Sequence, residues 1–170
     1  MRHLPSAIAM SGLLALTACG KPQVAADTTA PTEVAAPAPV AALATVSDAA
    51  KKSLIATLPV GYQNADLDNG QAKTALCKSC HSLEKSGGDM VGPNLYGVFG
   101  RKAGSVATYS YSDPLKASDI VWDADKLNQW ITHPAAMLPG TKMTYMGMEN
   151  PRDRVDVIAW LKVTTTPRAS

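Results

Sequence analysis

The residues with the clearest capacity for chemistry lie in the pentapeptide CKSCH at positions 77–81. Cys77 and Cys80 are separated by two residues, and His81 follows directly. Two thiols at this spacing serve as a redox disulfide, as half of a zinc site or as the attachment points of a haem. Other features of the chain must discriminate between these three chemistries.

The ligand inventory argues against zinc, and the sequence pattern argues against a redox disulfide. A structural zinc site needs four ligands, but the only cysteine besides the pair is Cys19, and His133 is the only histidine beyond His81 outside the first residues. A thioredoxin-like pair follows a strand in an alternating strand and helix pattern, which is absent here. CxxCH attaches a c-type haem, because both thiols add to its vinyl groups and the next imidazole binds the iron. The pentapeptide therefore predicts one covalent haem c held by Cys77 and Cys80, with His81 on the iron.

The sixth position of the iron separates electron carriers from ligand-binding and peroxidase-like proteins. Methionine sulfur is one candidate for that position, and a single methionine most often only fills a core. Composition and helix patterning do not choose among the five that lie in the predicted domain, which are Met90, Met137, Met143, Met146 and Met148.

Several motifs in order resemble the class I cytochromes c, closest to the mitochondrial type and its short bacterial relatives. Besides CKSCH they are GPNLYGVFGRKAG at 92–104, YSYSD at 109–113, PGTKM at 139–143 and the closing RVDVIAWLK. The resemblance covers about residues 68–162. It implies an all-α fold, with three or more helices and long loops wrapped around one covalent haem, and it implies Met143 as the sixth ligand.

The resemblance also implies residues that surround the haem. The carbonyl of Pro93 would accept a hydrogen bond from the outer nitrogen of His81 and fix its orientation. Other residues match positions that hydrogen-bond or neutralise the buried propionates, or that flank the methionine: Arg101, Tyr111 and Trp122 in the first group, Thr141 and Lys142 in the second.

The chain departs from the family pattern at three places. Trp130 stands where a tyrosine usually lies near the methionine sulfur, and an indole can donate but not accept a hydrogen bond. Thr74 replaces an aromatic residue of the first helix, which predicts weaker packing against the last helix. The usual lysine ring is sparse, so we expect docking through an apolar patch around Ala135, Met137 and Met146, with weak salt dependence.

Three helices are predicted to position these residues. The first covers residues 66–79, capped by Asp66 or Asp68, and it carries the cysteine pair. The second covers residues 124–132 after Asp123, and the third covers about residues 151–163, with Asn150 as its cap. A long loop rich in Gly, Pro, Ser and Tyr follows the first helix. Loops of this length are uncommon in small domains, so the loop indicates a large bound cofactor around which it wraps.

The N-terminal part predicts export and lipid anchoring. Residues 1–18 are interpreted as a lipoprotein signal peptide, because a basic start and a short apolar run precede LTAC, with Cys19 as the lipidated residue. An ordinary signal peptide with an incidental cysteine, or an uncleaved anchor helix, stays an alternative. Residues 19–60 are interpreted as a lipidated Ala/Pro-rich tether, 61–165 as the cytochrome c domain and 166–170 as a tail.

These features predict an electron carrier and not an enzyme. Residues 62–164 contain eleven Lys or Arg and eleven Asp or Glu, so nucleic acid is not an expected partner. We expect a protein at the bacterial cell membrane that faces the periplasm and shuttles electrons between respiratory or photosynthetic complexes. The resemblance implies a quinol:cytochrome c oxidoreductase and a terminal oxidase as its partners. A haem enzyme, or a gas or redox sensor with a displaceable sixth ligand, is the alternative.

Overall fold

Six helices form the regular structure of residues 46–168, which are the residues that this computed structural model describes. The helices are α1 (Asp48–Ala56), α2 (Leu67–Lys78), α3 (Asp113–Ala117), α4 (Ala124–Thr132), α5 (Pro134–Met137) and α6 (Pro151–Thr165). Within these residues there is no strand, only an isolated bridge between Lys102 and Val121. The predicted all-α fold is confirmed.

The three helices predicted from sequence begin at the expected caps. The Asp66 carboxylate accepts from the amides of Asp68 and Asn69, both at 3.0 Å, so Asp66 is the cap of α2. Asp123 accepts from the Lys126 amide at 2.7 Å at the start of α4. Each cap satisfies amide groups that have no partner inside their own helix.

The contact between α2 and α6 organises the fold. A Cβ atom at Gly70 would collide with the Asp156 carbonyl and lie 2.8 Å from Trp160 Cβ, so only glycine allows this close approach. One turn later, Thr74 is fully buried and donates its hydroxyl to the Gly70 carbonyl at 2.7 Å. The weaker packing expected from Thr74 stays a prediction.

A buried carboxylate adds polar bonds at the same helix pair. Asp156 is 2% exposed and accepts from the backbone amide of Asp66 and from the side-chain amide of Asn69, both at 2.8 Å. These bonds connect the start of α2 to the first half of α6. The first two turns of the helix that carries Cys77 are therefore fixed against α6.

Helix α1 lies within residues 19–60, which the sequence interpretation assigned to a tether, so the boundary at residue 60 is corrected. Val46 and Ile55 are buried with Val163 of α6 in a small cluster, so folded structure begins by residue 46. The apolar residues of this stretch are dispersed among alanines, which conceals their helical spacing in the sequence. The predicted signal peptide, Cys19 and the rest of the tether lie outside the described residues, as do the last two residues of the tail.

The longest of the described helices, α6, has 15 residues. None of the helices in residues 46–168 has the length and apolar character needed to cross a membrane.

Candidate functional site

The cysteine pair lies where α2 ends. Cys77 is in the last turn, and its carbonyl accepts from the amides of Cys80 at 3.0 Å and His81 at 2.9 Å. Both thiols are partly buried and free. Burial raises the pKa of the Cys77 thiol, which keeps it protonated at neutral pH. The turn therefore presents two reduced thiols, spaced about one helical turn apart, with an imidazole next to them.

The imidazole of His81 is fixed by the loop that follows. Its Nδ1 lies 2.7 Å from the Pro93 carbonyl oxygen, so this nitrogen donates the bond and leaves Nε2 available to a metal. Burial lowers the pKa of His81, and the Pro93 bond opposes that effect. Gly92 lies against the ring, since a Cβ there would approach Nδ1 to 2.6 Å. The Pro93 carbonyl therefore bonds the His81 ring, and its role in orienting an iron ligand stays a prediction.

Trp130 and Met143 form the contact that is most informative about the sixth ligand. The Trp130 indole Nε1 donates to the Met143 sulfur at 3.1 Å. Trp130 is 7% exposed, and its ring meets that of Trp122 edge-to-face, with centroids 5.4 Å apart. The Met143 amide donates to the Thr141 hydroxyl at 3.2 Å. The bond from the indole and the bond made by the Met143 amide together orient the thioether. One sulfur lone pair stays available for a metal.

Arg101, Tyr111 and Trp122 are close together. The Arg101 guanidinium donates to the carbonyls of Asn94 at 2.9 Å and Tyr96 at 3.1 Å, and burial lowers its pKa. Its backbone carbonyl accepts from the Trp122 amide at 2.9 Å. Burial raises the pKa of Tyr111, while the nearby Arg101 charge opposes that effect. Arg101 thus lies near Tyr111 and is bonded through its backbone to Trp122. Both aromatic side chains are buried, and Arg101 brings one positive charge to them.

Ser112 is a residue that the sequence interpretation missed. Its hydroxyl is buried beside Tyr111 and has no hydrogen-bond partner among the described residues. A buried hydroxyl without a partner costs about 1–3 kcal/mol, so an acceptor is expected from outside the polypeptide. Its place inside the YSYSD motif was the only signal available in the sequence.

Lys142 is bonded to the segment that contains Tyr111 and Ser112. Its ammonium donates to the Ser110 carbonyl at 2.8 Å, which ties the PGTKM segment to the YSYSD segment. Thr141, Lys142 and Met143 therefore lie in one segment that is bound at two points. Cys19 lies outside the residues that the structure describes.

These side chains fit a haem. Two thiols, an imidazole and a thioether form the donor set of a covalently attached, His/Met-ligated haem. The unpartnered Ser112 hydroxyl and the Arg101 charge suit its carboxylates, which are costly to bury unpaired. No group of three or more His, Cys, Asp or Glu that could hold an ion occurs in residues 46–168.

Comparison with known proteins supports the same interpretation, although no family model matches the chain. A cytochrome c of Gibberella zeae is 46% identical over 89 residues, which are 52% of this chain and 84% of that protein. Cytochrome c2 iso-2 of Magnetospirillum fulvum is 46% identical over 87 residues, 51% of this chain and 90% of that one. The solved structure of cytochrome cH from Methylobacterium extorquens matches with a TM-score of 0.53 and 44% identity, covering 58% of this chain and 98% of that chain.

Proposed function

Since the chain belongs to the class I cytochrome c family, whose members are mono-haem electron carriers, we propose that it is a lipid-anchored carrier at a bacterial membrane. In this proposal it passes single electrons between respiratory or photosynthetic complexes on the periplasmic side. Haem c supplies a reversible one-electron iron couple. The protein binds this group through Cys77 and Cys80, and it orients the two iron ligands, His81 and Met143.

The observation that carries this proposal is the bond from the buried Trp130 indole to the Met143 sulfur. A sulfur fixed in this way favours a closed site whose ligands stay the same in both oxidation states. The Pro93 carbonyl does the same for His81. Closed, fully ligated sites suit electron transfer, whereas haem enzymes and gas sensors need an open position.

Anchoring and location are supported by the sequence. The basic start, the apolar run and LTAC before Cys19 resemble a lipoprotein signal. Haem attachment to reduced thiols outside the bacterial cytoplasm agrees with export. A quinol:cytochrome c oxidoreductase as donor and a terminal oxidase as acceptor follow from the family resemblance and from a membrane location.

The first test is the optical spectrum of protein matured in a periplasm. We expect the weak far-red band of methionine-ligated ferric haem, its loss in Met143→Ala, and a ferrous spectrum that carbon monoxide leaves unchanged. Met146→Ala is the matched control, because Met146 is 82% exposed and only three residues away. Carbon monoxide binding by the wild type would favour the enzyme or sensor interpretation instead.

The anchor is tested separately. Cys19→Ser should move the protein from the membrane fraction to the soluble periplasmic fraction without changing its spectrum. A variant that stays with the membranes would contradict lipidation at Cys19.

A further inference from the structure

The ends of α4 and α5 border a surface groove of about 420 Å³. Six residues line it, namely Asn128, Gln129, Thr132, His133, Ala136 and Met137. None of them is among the residues assigned above to the haem. His133 and Met137 carry nitrogen and sulfur donors of the kind that bind transition metals. We call this space the α4–α5 groove.

His133 and Met137 come from one turn of the chain. The His133 carbonyl accepts from the amides of Ala136 and Met137, both at 3.1 Å, so the backbone between the two donors is fixed. Residues four apart in a helical turn are neighbours on its surface. The His133 side chain is exposed and caps no helix amide. Met137 is half-buried against the core, which limits the positions that its sulfur can take.

A second thioether comes from the loop before α6. A Cβ atom at Gly147 would lie 3.5 Å from His133 Cα, so this loop passes directly against the histidine. The Met148 amide donates to the Ile131 carbonyl at 2.8 Å and holds the loop there. Met148 is buried, whereas Met146, on the other side of Gly147, is 82% exposed. The Met146 thioether is therefore attached one residue from the contact with His133, on a side chain with three rotatable bonds.

The other polar groups of the α4–α5 groove are engaged or unsuited to a soft ion. Asn128 Oδ1 accepts from Arg154 Nε at 2.8 Å, and the Thr132 hydroxyl donates to the Asn128 carbonyl at 2.7 Å. Gln129 is exposed, but amide oxygens suit hard cations. None of the described residues that line the groove is acidic. The donors that remain are one imidazole and two thioethers.

We propose that His133, Met137 and Met146 bind Cu(I). Thioether sulfur selects Cu(I) among the first-row metals, and imidazole suits copper as well. Calcium and magnesium need oxygen ligands, above all carboxylates, which the groove does not offer. Three neutral donors around a monovalent ion leave a single positive charge at the surface, where no buried counter-charge is required.

The copper site does not depend on the proposed function. The Met143 sulfur accepts from the Trp130 indole, so it is not one of the copper donors. The same three donors are available whether the chain is an electron carrier or a haem enzyme. The docking role that the sequence predicts for Met137 and Met146 stays a prediction.

The test is the uptake of Cu(I) by ferrous holoprotein that carries Cys19→Ser. The haem consumes Cys77 and Cys80, so this protein has no free thiol to compete for the metal. Haem iron and copper are both reduced, so no electron passes between them. Equilibrium dialysis under argon against Cu(I) buffered with bicinchoninate should give one Cu(I) per haem. No uptake by protein with an intact haem spectrum would overturn the proposal.

Single variants identify the donors. His133→Gln, Met137→Leu and Met146→Leu should each weaken Cu(I) binding at least about tenfold, since even residues that only orient a ligand contribute that much. Leucine keeps the volume of methionine, so the fold is retained, and the haem spectrum checks this. Met90→Leu is the matched control, because Met90 is 51% exposed and lies outside the groove. An unchanged affinity in any of the three donor variants would overturn the proposal.

Methyl NMR locates the ion without any substitution at the site. In protein labelled at the methionine methyl carbons, Cu(I) should shift the Met137 and Met146 signals and leave the Met90 signal in place. Zn(II) at the same concentration should shift neither, because zinc is held by thiolate, imidazole and carboxylate ligands. Shifts produced by Zn(II), or Cu(I) shifts confined to other methionines, would overturn the proposal.

Discussion

The buried polar atoms of the candidate site residues differ in whether the polypeptide satisfies them. The His81 ring and the Trp130 indole both have partners, at Pro93 and Met143. The Ser112 hydroxyl has none in the described chain. The family resemblance located the first two positions, but an unpaired hydroxyl becomes visible only when its neighbours are known.

The sign of the Ser112→Ala effect tests whether a haem carboxylate accepts from this hydroxyl. If it does, the variant should lower the unfolding free energy of the holoprotein by about 1.5 kcal/mol, since bonds to charged groups are stronger than neutral ones. Guanidinium unfolding measures this. Ser105→Ala, which removes an exposed hydroxyl bonded to the Lys102 carbonyl, should have a small effect. A neutral or stabilising Ser112→Ala would show that the hydroxyl stays unpaired.

Trp130→Phe tests the bond to Met143. Without the indole N–H, the Met143 thioether is held less firmly, so its bond to the iron should weaken and the reduction potential should fall, because methionine ligation raises it. Imidazole should displace Met143 about fivefold more readily, as expected for a lost hydrogen bond of about 1 kcal/mol. Trp160→Phe is the matched control, because its indole nitrogen is buried without a partner in the described chain. Equal potentials in the wild type and Trp130→Phe would contradict a role for the indole.

At the scale of the elements, the helices capped by Asp66, Asp123 and Asn150 could be predicted because each has a polar cap at its start. The sequence did not show how closely α2 and α6 approach. That distance depends on a missing side chain at Gly70 and on a carboxylate from α6 that bonds the start of α2.

Gly70→Ala should destabilise the protein strongly. The new methyl group would collide with the Asp156 carbonyl, and relief requires the two helices to separate. We expect a loss of about 3 kcal/mol in the free energy of unfolding, at the upper end for overpacking. Gly88→Ala, where nothing lies within 4 Å of the added atom, should change it by less than about 0.5 kcal/mol. Similar melting temperatures for the two variants would exclude a tight crossing.

The ion pair between α2 and α6 should make stability depend on pH. Bonds from Lys73 at 2.9 Å and Asn69 at 3.0 Å lower the pKa of Asp153 below its usual 3.8. The stabilisation is therefore present above the unfolded-state pKa and is lost as the pH falls through the lower, folded-state value. Asp153→Asn should melt below the wild type at pH 6, and the two curves should converge under strong acid. A gap that persists at about pH 2 would show that the carboxylate charge is not the cause.

At the scale of the whole molecule, folded structure extends further towards the N-terminus than the sequence suggested. Ile55 of α1 and Val46, which precedes the helix, cover part of α6, because they share a cluster with Val163. The reach of a tether is shortened by the residues that fold.

Ile55→Ala tests whether α1 is an integral part of the domain. Deleting a buried isoleucine should lower the unfolding free energy by about 2 kcal/mol, while the spectrum of the site stays unchanged. Lys52→Ala removes an exposed residue of the same helix and should have no measurable effect. If Ile55→Ala unfolds at the same denaturant concentration as the wild type, α1 contributes nothing to the stability of the domain.

The sequence by itself determined the chemistry and the fold class. CKSCH is defined by the order of its residue types. The capped helices and the family motifs likewise depend on residues that are close together in the sequence. Only the tertiary structure decided the contacts between distant segments: the Trp130 bond to Met143, the unpaired Ser112, the docking of α1 and the exposure of Leu76, Met90, Val91 and Met146. The physical reason is that burial and hydrogen-bond satisfaction are properties of neighbours in space, and spacing along the chain does not specify them.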